Sequence, residues 1–490
     1  MITGDCVNSF LPFHLLALEI FLKLDRLACE VVEIFPDLRL GQGFPTEMSA
    51  PTLKPSTFLT PPLQTLSNAP AVTVFDQGLQ VPTVHQWNLT LQHDLHRGLV
   101  LQGAYVGRRG TRLYRSYNIN QIDAAPILPS FLAMQANVRN GCAPSGSGCP
   151  SGVASAPVSI VNDGIVTAAF VNSTTTRTEL SQNAAGSLVT RIEQTTLAGK
   201  YRPNQQFGTI VYIDNGGDSI YHSLQLSARK RFDSGLLFNL AYTFGKSIDN
   251  QSLDPIGSST SGALTTTSDR TPADARNYSN ERGRSDFDRR HVLNVTSVYE
   301  LPFGRRKRFG AEWGPALNAI AGGWSLNGFA TYMSGEPFSV RSGVLTANSA
   351  SQSRADIVGP MPEAKLQSVA GVVGPSMFAS TSGFAIPAPG SLGAGRNIFT
   401  GPSFKSMDLG LAKSFRTTEH TRLTFRAEAF NAFNHPNFES PRSASSGNPS
   451  IISPLFGQTC CVTMSTASSA NVLPQGESWR VIQLALKLEF

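Results

Sequence analysis

Three histidines lie close together in the sequence, at His85, His93 and His96, and imidazole nitrogens are common ligands of zinc. Apolar and polar residues alternate between the first two, which is typical of a β-strand. In a strand that rises about 3.3 Å per residue, His85 and His93 would lie roughly 26 Å apart. Ligands of one metal ion must converge, so we expect polar side chains at a strand end and in a turn, and no metal site.

Segment 286–291 concentrates titratable residues that could transfer protons: Asp286, Asp288 and His291, beside Arg289 and Arg290. No nucleophile motif lies nearby, so we interpret the segment as the entry to a strand. No other constellation in the sequence indicates catalysis. We therefore expect no catalytic residues, no cofactor-binding residues and no enzyme activity.

Two charged segments could bind a cation or nucleic acid. Residues 214–218 read Asp-Asn-Gly-Gly-Asp, but they lack the spacing and the closing glutamate of a calcium-binding EF-hand, so we predict a turn. Residues 305–308 read Arg-Arg-Lys-Arg, a run found in nucleic-acid-binding proteins. A net charge of +6 over 490 residues is a weak field. We expect no nucleic-acid partner and a solvated turn that could touch anionic lipid headgroups.

The sequence contains six cysteines and no C-x-x-C pair, which disfavours zinc ribbons and thioredoxin-type chemistry. Cys142 and Cys149 flank Ala-Pro-Ser-Gly-Ser-Gly, and in an oxidising compartment this spacing predicts a local disulfide. A disulfide between the neighbours Cys460 and Cys461 would be strained. For that pair, free thiols and another bonding partner both stay open.

The composition favours a β-rich protein outside the cytoplasm. Only 15% of the residues are charged, against a typical quarter, and uncharged polar residues take their place. No apolar run reaches 18 residues, so we predict no membrane helix. The stretch 10–35 carries several charges and lacks the features of a signal peptide. We treat residues 1–43 as an atypical N-terminal segment, as expected for a mis-called start.

The elements that would hold these residues are strands, because alternation with period 2 recurs along the chain. In the last segment, Ile482, Leu484, Leu486, Leu488 and Phe490 share one face. The pattern predicts nine strands, most of 10 to 14 residues, where membrane-spanning strands need about 9–11 and globular strands average about 5–6. They cover 84–95, 98–107, 220–232, 235–246, 287–300, 322–335, 404–415, 421–430 and 479–490.

Short and long connections alternate between these strands without exception. Transmembrane barrels have short periplasmic turns and long extracellular loops, so the alternation favours an antiparallel transmembrane β-barrel with a polar lumen. Phe490 then lies on the periplasmic side and, with Leu484, Leu486 and Leu488, forms the usual assembly signal of outer-membrane barrels. Aromatic residues near strand ends suit an interfacial girdle, although ordinary β-strand preference explains them equally well. The girdle candidates are Trp87, Tyr105, Tyr242, Trp324 and Trp479.

Several short segments, in this order, resemble the barrel of TonB-dependent outer-membrane receptors, in particular the Oar-like group, over roughly residues 40–490. They are Val-His-Gln-Trp-Asn-Leu-Thr-Leu-Gln at 84–92, Gly-Ala-Tyr-Val-Gly at 103–107, Gly-Thr-Arg-Leu at 110–113, Tyr-His-Ser-Leu-Gln at 221–225, Ala-Tyr-Thr-Phe-Gly-Lys-Ser at 241–247, Asp-Phe-Asp-Arg-Arg-His-Val at 286–292, Leu-Pro-Phe-Gly at 301–304, Gly-Trp-Ser at 323–325 and Arg-Ala-Glu-Ala-Phe-Asn-Ala-Phe-Asn-His-Pro-Asn-Phe at 426–438.

The resemblance implies a longer receptor, with a signal peptide, a carboxypeptidase-regulatory-like β-sandwich, a plug and a 22-stranded barrel. The sequence shows about nine of those strands and neither a plug nor a TonB box. An open sheet would leave two unpaired edges in lipid. We therefore expect residues 44–490 to be the C-terminal part of such a barrel, in the cell outer membrane.

The expected function is uptake of a ligand from outside the cell, with TonB coupled through the missing plug. Outer-membrane lipid and the outer-membrane assembly machinery are further expected partners. The alternative is a surface-exposed binding or adhesion barrel without active transport. Whether the ligand is a glycan, a siderophore or a peptide stays open.

Overall fold

The computed structural model shows a large antiparallel sheet and describes these residues: 62–95, 98–197, 201–233, 235–252, 271–305, 307–372, 374–416, 421–442, 448–459 and 480–490. The strands in chain order are β1 Val72–Phe75, β2 Thr83–Leu95, β3 Leu99–Asn118, β4 Ile210–Asp233, β5 Leu236–Asp249, β6 Gly283–Arg284, β7 His291–Glu300, β8 Trp324–Met333, β9 Pro337–Phe338, β10 Asp356–Ile357, β11 Gln367–Ser368, β12 Pro375–Ser376, β13 Phe384–Ala385, β14 Phe399–Thr400, β15 Phe404–Arg416, β16 Arg422–Phe430 and β17 Val481–Glu489.

Nine of these strands are long, and each pairs antiparallel with the next long strand along the chain. Their order in the sheet is β2-β3-β4-β5-β7-β8-β15-β16-β17. Two short strands join them, β1 parallel to β4 and β6 antiparallel to β5. The predicted antiparallel all-β fold is confirmed, and all nine predicted strands correspond to long strands.

The predicted ends are wrong for β3 and β4, which extend to Asn118 and back to Ile210. The predicted turn at 214–218 is also wrong, because this segment lies inside β4. Register shifts between Thr111 and Arg115 interrupt the alternation of β3. A Cβ at Gly217 would lie 2.6 Å from the carbonyl oxygen of Leu113, so glycine lets β4 pass the irregular strand.

The connections leave the sheet at two distinct ends, which we call the inner and the outer end. The inner end carries the short connections 96–98, 234–235, 301–323 and 417–421. The outer end carries the long connections 119–209, 250–290, 334–403 and 431–480. Both edge strands, β2 and β17, run from the outer to the inner end. A strand that pairs antiparallel with either free edge must therefore run from the inner to the outer end.

A helical insertion fills the first long connection. Its helices are α1 Leu128–Arg139, α2 Ser159–Asn162, α3 Ala168–Val171, α4 Thr174–Ser181 and α5 Ala185–Thr195, and α6 Pro315–Ala321 lies at the inner end. Pro129 lies in the first turn of α1, where its missing N–H is not needed, and the Ser173 side chain accepts a hydrogen bond from the N–H of Thr176 to cap α4. No helix among the described residues is long and apolar enough to cross a membrane.

The insertion has its own core, in which Phe131, Met134, Leu188 and Ile192 are fully buried. The connection between β8 and β15 is also packed around buried side chains. Phe338, Phe378, Phe384 and Phe399 of this connection pack together with Phe456 of the last long connection, and the Phe378 and Phe384 rings meet edge-on with centroids 5.1 Å apart. These two cores were not foreseen from the sequence. The sheet and its described connections belong to one compact unit, Leu63–Phe490. The boundary expected at residue 43 lies outside the described residues.

Candidate functional site at the outer end of the sheet

The strand register sorts the side chains of the sheet onto two chemically different faces, because directly paired residues share a face. One face is apolar. A row across six strands of that face consists of Leu91, Gly103, Leu226, Tyr242, Leu293 and Tyr332. The adjacent row, on the opposite face, consists of Gln92, Gln102, Ser227, Ala241, Asn294, Thr331 and Ser406.

The polar face offers neutral hydrogen-bonding groups over its middle rows. The Thr331 hydroxyl donates to Oδ1 of Asn294 at 3.1 Å, and Ser414 and Thr424 hydroxyl oxygens lie 3.0 Å apart. The polar face also carries both positive and negative side chains: Nη2 of Arg426 donates to Oε1 of Glu428 at 2.7 Å. Such a surface hydrates well and can exchange hydrogen bonds with a passing polar molecule.

The described aromatic residues predicted to form a girdle share the apolar face but lie at different heights. Trp87 lies toward the outer end, Tyr105 and Tyr242 lie near the middle of the membrane-length part of their strands, and Trp324 begins β8 at the inner end. Lys413 Nζ lies 5.0 Å from the centroid of the Trp324 ring. Trp479 lies outside the described residues. At the C-terminus, Leu484, Leu486 and Leu488 are exposed on one face of β17, and Phe490 follows the strand.

The long connections interlock above the outer end, and we call the described parts of 119–209, 271–290, 334–403 and 448–459 the outer cap. The backbone N–H of Ala124 donates to the carbonyl of Ala347 at 2.8 Å. The side-chain amide of Asn348 donates to the carbonyl of Ala273 at 2.7 Å. The N–H of Arg341 donates to the carbonyl of Pro449 at 2.9 Å. The cap therefore joins segments of four connections into one body.

A buried ionic cluster anchors the outer cap to the sheet. The guanidinium of Arg396 binds the carboxylate of Asp249 at the end of β5 and Oδ1 of Asp286 at 3.3 Å, and it donates to the carbonyl of Glu281 at 3.0 Å. Nearby, Arg354 Nη2 donates to Oε2 of Glu281 at 2.7 Å. Burial acts to lower the pKa of Arg396, but the carboxylates of Asp286 and Asp249 outweigh it and raise that pKa.

The residues of segment 286–291 do not converge on a common point. Asp286 accepts from the amide of Asn397 at 2.7 Å, and Asp288 accepts from the N–H of Ser247 at 2.7 Å. Arg289 Nη2 donates to Oε1 of Glu336 at 2.8 Å. The Arg290 guanidinium lies 5.9 Å from the ring centroid of Phe244, and His291 Nδ1 lies 2.8 Å from the Tyr242 hydroxyl. The segment thus links strands to the outer cap through separate contacts.

The candidate cation ligands are engaged by other partners. Asp214 receives two hydrogen bonds from Arg115, at 2.7 and 2.9 Å, and Asp218 lies 3.5 Å from Arg282 Nη1. His85 and His93 are paired with Arg109 and Leu101 on β3, eight positions apart along β2, and His96 lies outside the described residues. Among the described residues, no group of three or more His, Cys, Asp or Glu side chains could hold a metal ion.

The remaining predicted residues lie at opposite ends of the sheet. Cys142 and Cys149 form a disulfide within the helical insertion. Cys460 and Cys461 lie outside the described residues. Arg305 and Lys307 belong to a short connection at the inner end, where Lys307 Nζ lies 2.6 Å from Oε2 of Glu300. The basic run therefore lies in a connection, as expected.

The sequence pattern missed the ionic cluster and a group of tyrosines beside it. Arg115 lies 4.1 Å from the ring centroid of Tyr278, whose ring packs edge-on against Tyr117 at 5.7 Å. Burial raises the pKa of the Tyr278 hydroxyl well above its ordinary value. Arg115 and Tyr117 lie in β3 whereas Tyr278 lies in the connection between β5 and β7, so no local spacing marks them.

Comparison with known proteins gives one family. The model of the "Outer membrane beta barrel domain" family matches residues 33–483. Comparison with curated proteins gives no significant match. Among solved structures, the chain is similar to the outer membrane transporter YddB from Escherichia coli, with 9% identity and a TM-score of 0.32. That alignment covers 76% of this chain and 31% of the transporter. A TM-score of this size does not support a shared fold, so the assignment of the chain to a family rests on the family model alone.

Proposed function

This chain belongs to the outer membrane beta barrel domain family and lies in the outer membrane, and from that premise we propose that it is the barrel part of a TonB-dependent receptor of the Oar-like type. Such a receptor takes up a ligand from outside the cell. Segments that resemble this group are distributed over most of the long strands, which supports the proposal.

The observation that carries the proposal is that the same strands have a polar face along their length and a folded outer cap at one end. Lipid covers the apolar face, so the polar face lines the lumen. The row runs obliquely from Ser406, near the outer end of β15, to Gln92, near the inner end of β2, and gives a path of mostly amide and hydroxyl groups toward the inner end. The outer cap supplies the first surface that a ligand meets.

In the described part of the chain β2 and β17 are the edges of the sheet, and we propose that further strands beside them close the barrel. Because both edge strands run toward the inner end, β17 of one copy could pair with β2 of a second copy only in parallel. Outer-membrane barrels of this class are antiparallel. We therefore propose that closure uses strands that run toward the outer end, supplied by a receptor of about 22 strands rather than by self-association.

Energy for uptake would come from TonB through a plug domain. The test is growth or uptake with and without TonB, in cells that express the whole receptor locus. Uptake that requires TonB and falls when Asn294 and Thr331 are replaced together by leucine supports the proposal. Uptake that persists fully without TonB contradicts it. Replacing the half-buried apolar-face residue Leu293 by isoleucine is the matched control, because it leaves the polar face unchanged.

A second function, a surface binding or adhesion barrel without transport, is favoured by one observation. The helical insertion has an independent buried core, as a binding module would. Deletion of residues 125–200 distinguishes the two functions. If the chain is an adhesion barrel, the deletion variant loses cell or glycan binding, and the parent protein shows no TonB-dependent uptake. We propose no enzyme activity, because the two carboxylates and the histidine of segment 286–291 do not converge.

A further inference from the structure

The outer rim of the apolar face carries basic side chains at one height. Arg109, His222, Lys246 and His291 each lie about nine to eleven residues along their strands from the inner end. A tilted strand crosses the hydrocarbon core in about 9–11 residues. With the inner end at one membrane surface, these four residues lie at the level of the lipid headgroups on the other. Trp87, Tyr105 and Phe244 lie beside or just below them.

His222 is the centre of a built arrangement on this rim. A Cβ at Gly107 would lie 2.2 Å from Nε1 of Trp87, so the Trp87 indole lies across this glycine. The ring centroids of Trp87 and His222 are 6.1 Å apart. The Tyr105 hydroxyl lies 2.7 Å from Nδ1 of His222. When this hydroxyl donates to Nδ1, the proton of the imidazole resides on Nε2, which is then a donor.

Two cations flank this histidine. Lys246 is paired directly opposite His222 across β4 and β5. Arg109 is paired with Ile220, two positions from His222 along β4, a diagonal separation that long side chains bridge. His222, Lys246 and Arg109 can therefore direct an N–H toward one group above the sheet.

Positive side chains outnumber negative ones on the outer rim. Asp218 lies 3.9 Å from Arg109 and 3.5 Å from Arg282, so one carboxylate faces two guanidinium groups. The Lys246 side chain is exposed and has no hydrogen bond or ion pair to another described residue. The pattern repeats on the neighbouring strands, where Tyr242 contacts His291. Several donors and excess positive charge suit phosphate.

We infer that Arg109, His222 and Lys246, with the Trp87–Tyr105 aromatic surface, form a binding site for the phosphorylated headgroup of an outer-leaflet lipid. The phosphate contacts the three basic side chains, and the acyl chains cover the apolar face below. The site does not depend on transport, because it lies on the face opposite the lumen.

The test uses the whole receptor purified in an uncharged detergent, with native mass spectrometry to measure bound lipid. The probes are a glycolipid with two phosphate monoesters, the same glycolipid after removal of its phosphates, and inorganic phosphate. The phosphorylated glycolipid should bind tightest. Arg109→Gln and Lys246→Gln should each weaken its binding about fivefold (about 1 kcal/mol), and the double variant about 25-fold.

Arg108→Gln is the matched control. Arg108 precedes Arg109 on the same strand but faces the lumen, where its Nη2 donates to Oε1 of Gln86 at 2.9 Å. It should leave lipid binding unchanged. Equal binding of the dephosphorylated glycolipid, equal binding of inorganic phosphate, or equal weakening by Arg108→Gln would each overturn the inference. Heat-modifiable migration in gels confirms that each variant is folded, and a double variant that misfolds is replaced by Lys246→Gln alone.

Discussion

Replacing Arg396 by methionine should release the outer cap from the sheet while the sheet stays folded. The Arg396 side chain is 1% exposed and pairs with Asp249 and Asp286, which are 5% and 10% exposed. The variant leaves two buried carboxylates without their shared cation. Loss of one partner of a buried ion pair costs about 3–5 kcal/mol. Because Arg396 links residue 249 at the end of β5 to the cap, this loss should appear first as opening of the cap.

Hydrogen exchange measures that opening directly. Each 1.4 kcal/mol is a factor of ten, so the amides of residues 337–341 and 396–401 should exchange about a hundredfold or more faster. Amides in the middle of β4 and β5 should keep their protection. Arg282→Met is the control, because that side chain is 56% exposed and its pair with Asp218 is worth about 0–1 kcal/mol. Equal exchange rates in the two variants would show that the cluster does not anchor the cap.

Three further predictions concern the cap and the C-terminus. The Cys142→Ser/Cys149→Ser variant should destabilise the helical insertion by about 2.5 kcal/mol, because the unfolded chain gains the entropy of the opened loop. Proteolysis within residues 125–197 should become faster, and reductant should no longer change the gel mobility of the variant. The folded-state pKa of Tyr278 is raised, so its stabilising contribution is full below the unfolded pKa of about 10 and is lost as the pH rises further. Melting temperature should therefore fall between pH 9 and 11, and Tyr278→Phe should flatten that dependence, whereas an unchanged slope would exclude the buried phenol as its cause. Deletion of Phe490 from the whole receptor should lower its yield in the outer membrane without changing the heat-modifiable migration of the receptor that is inserted; a changed migration would indicate a structural role only.

The strands could be predicted because one face of each is apolar and the alternation is local. In β16, for example, Leu423, Phe425 and Ala427 oppose Thr424 and Arg426 over adjacent positions. The prediction stopped short where β3 changes register near Leu113, since an irregularity moves every later side chain to the other face.

The outer cap could not be predicted for a different reason. The five helices of the insertion are short and rich in Ser, Thr and Ala, and only α1, α4 and α5 cover eight or more residues. Arg396 and Asp249 are 147 positions apart, and Arg354 and Glu281 are 73 apart. A cluster assembled over such separations leaves no periodic signal. The disulfide, in contrast, joins residues seven positions apart and was visible as a spacing.

The central claim is that one face of the sheet contacts lipid and the other contacts water in the lumen. Spin labels at successive positions from 423 to 428 of β16, in a variant without native cysteines, test it in lipid vesicles. Oxygen accessibility should peak at Leu423, Phe425 and Ala427, and accessibility to a water-soluble nickel complex at Thr424, Arg426 and Glu428. Alternation with period 2 and opposite phase for the two probes is the predicted result. Equal access of the nickel complex to both sets of positions would contradict a membrane-spanning barrel strand.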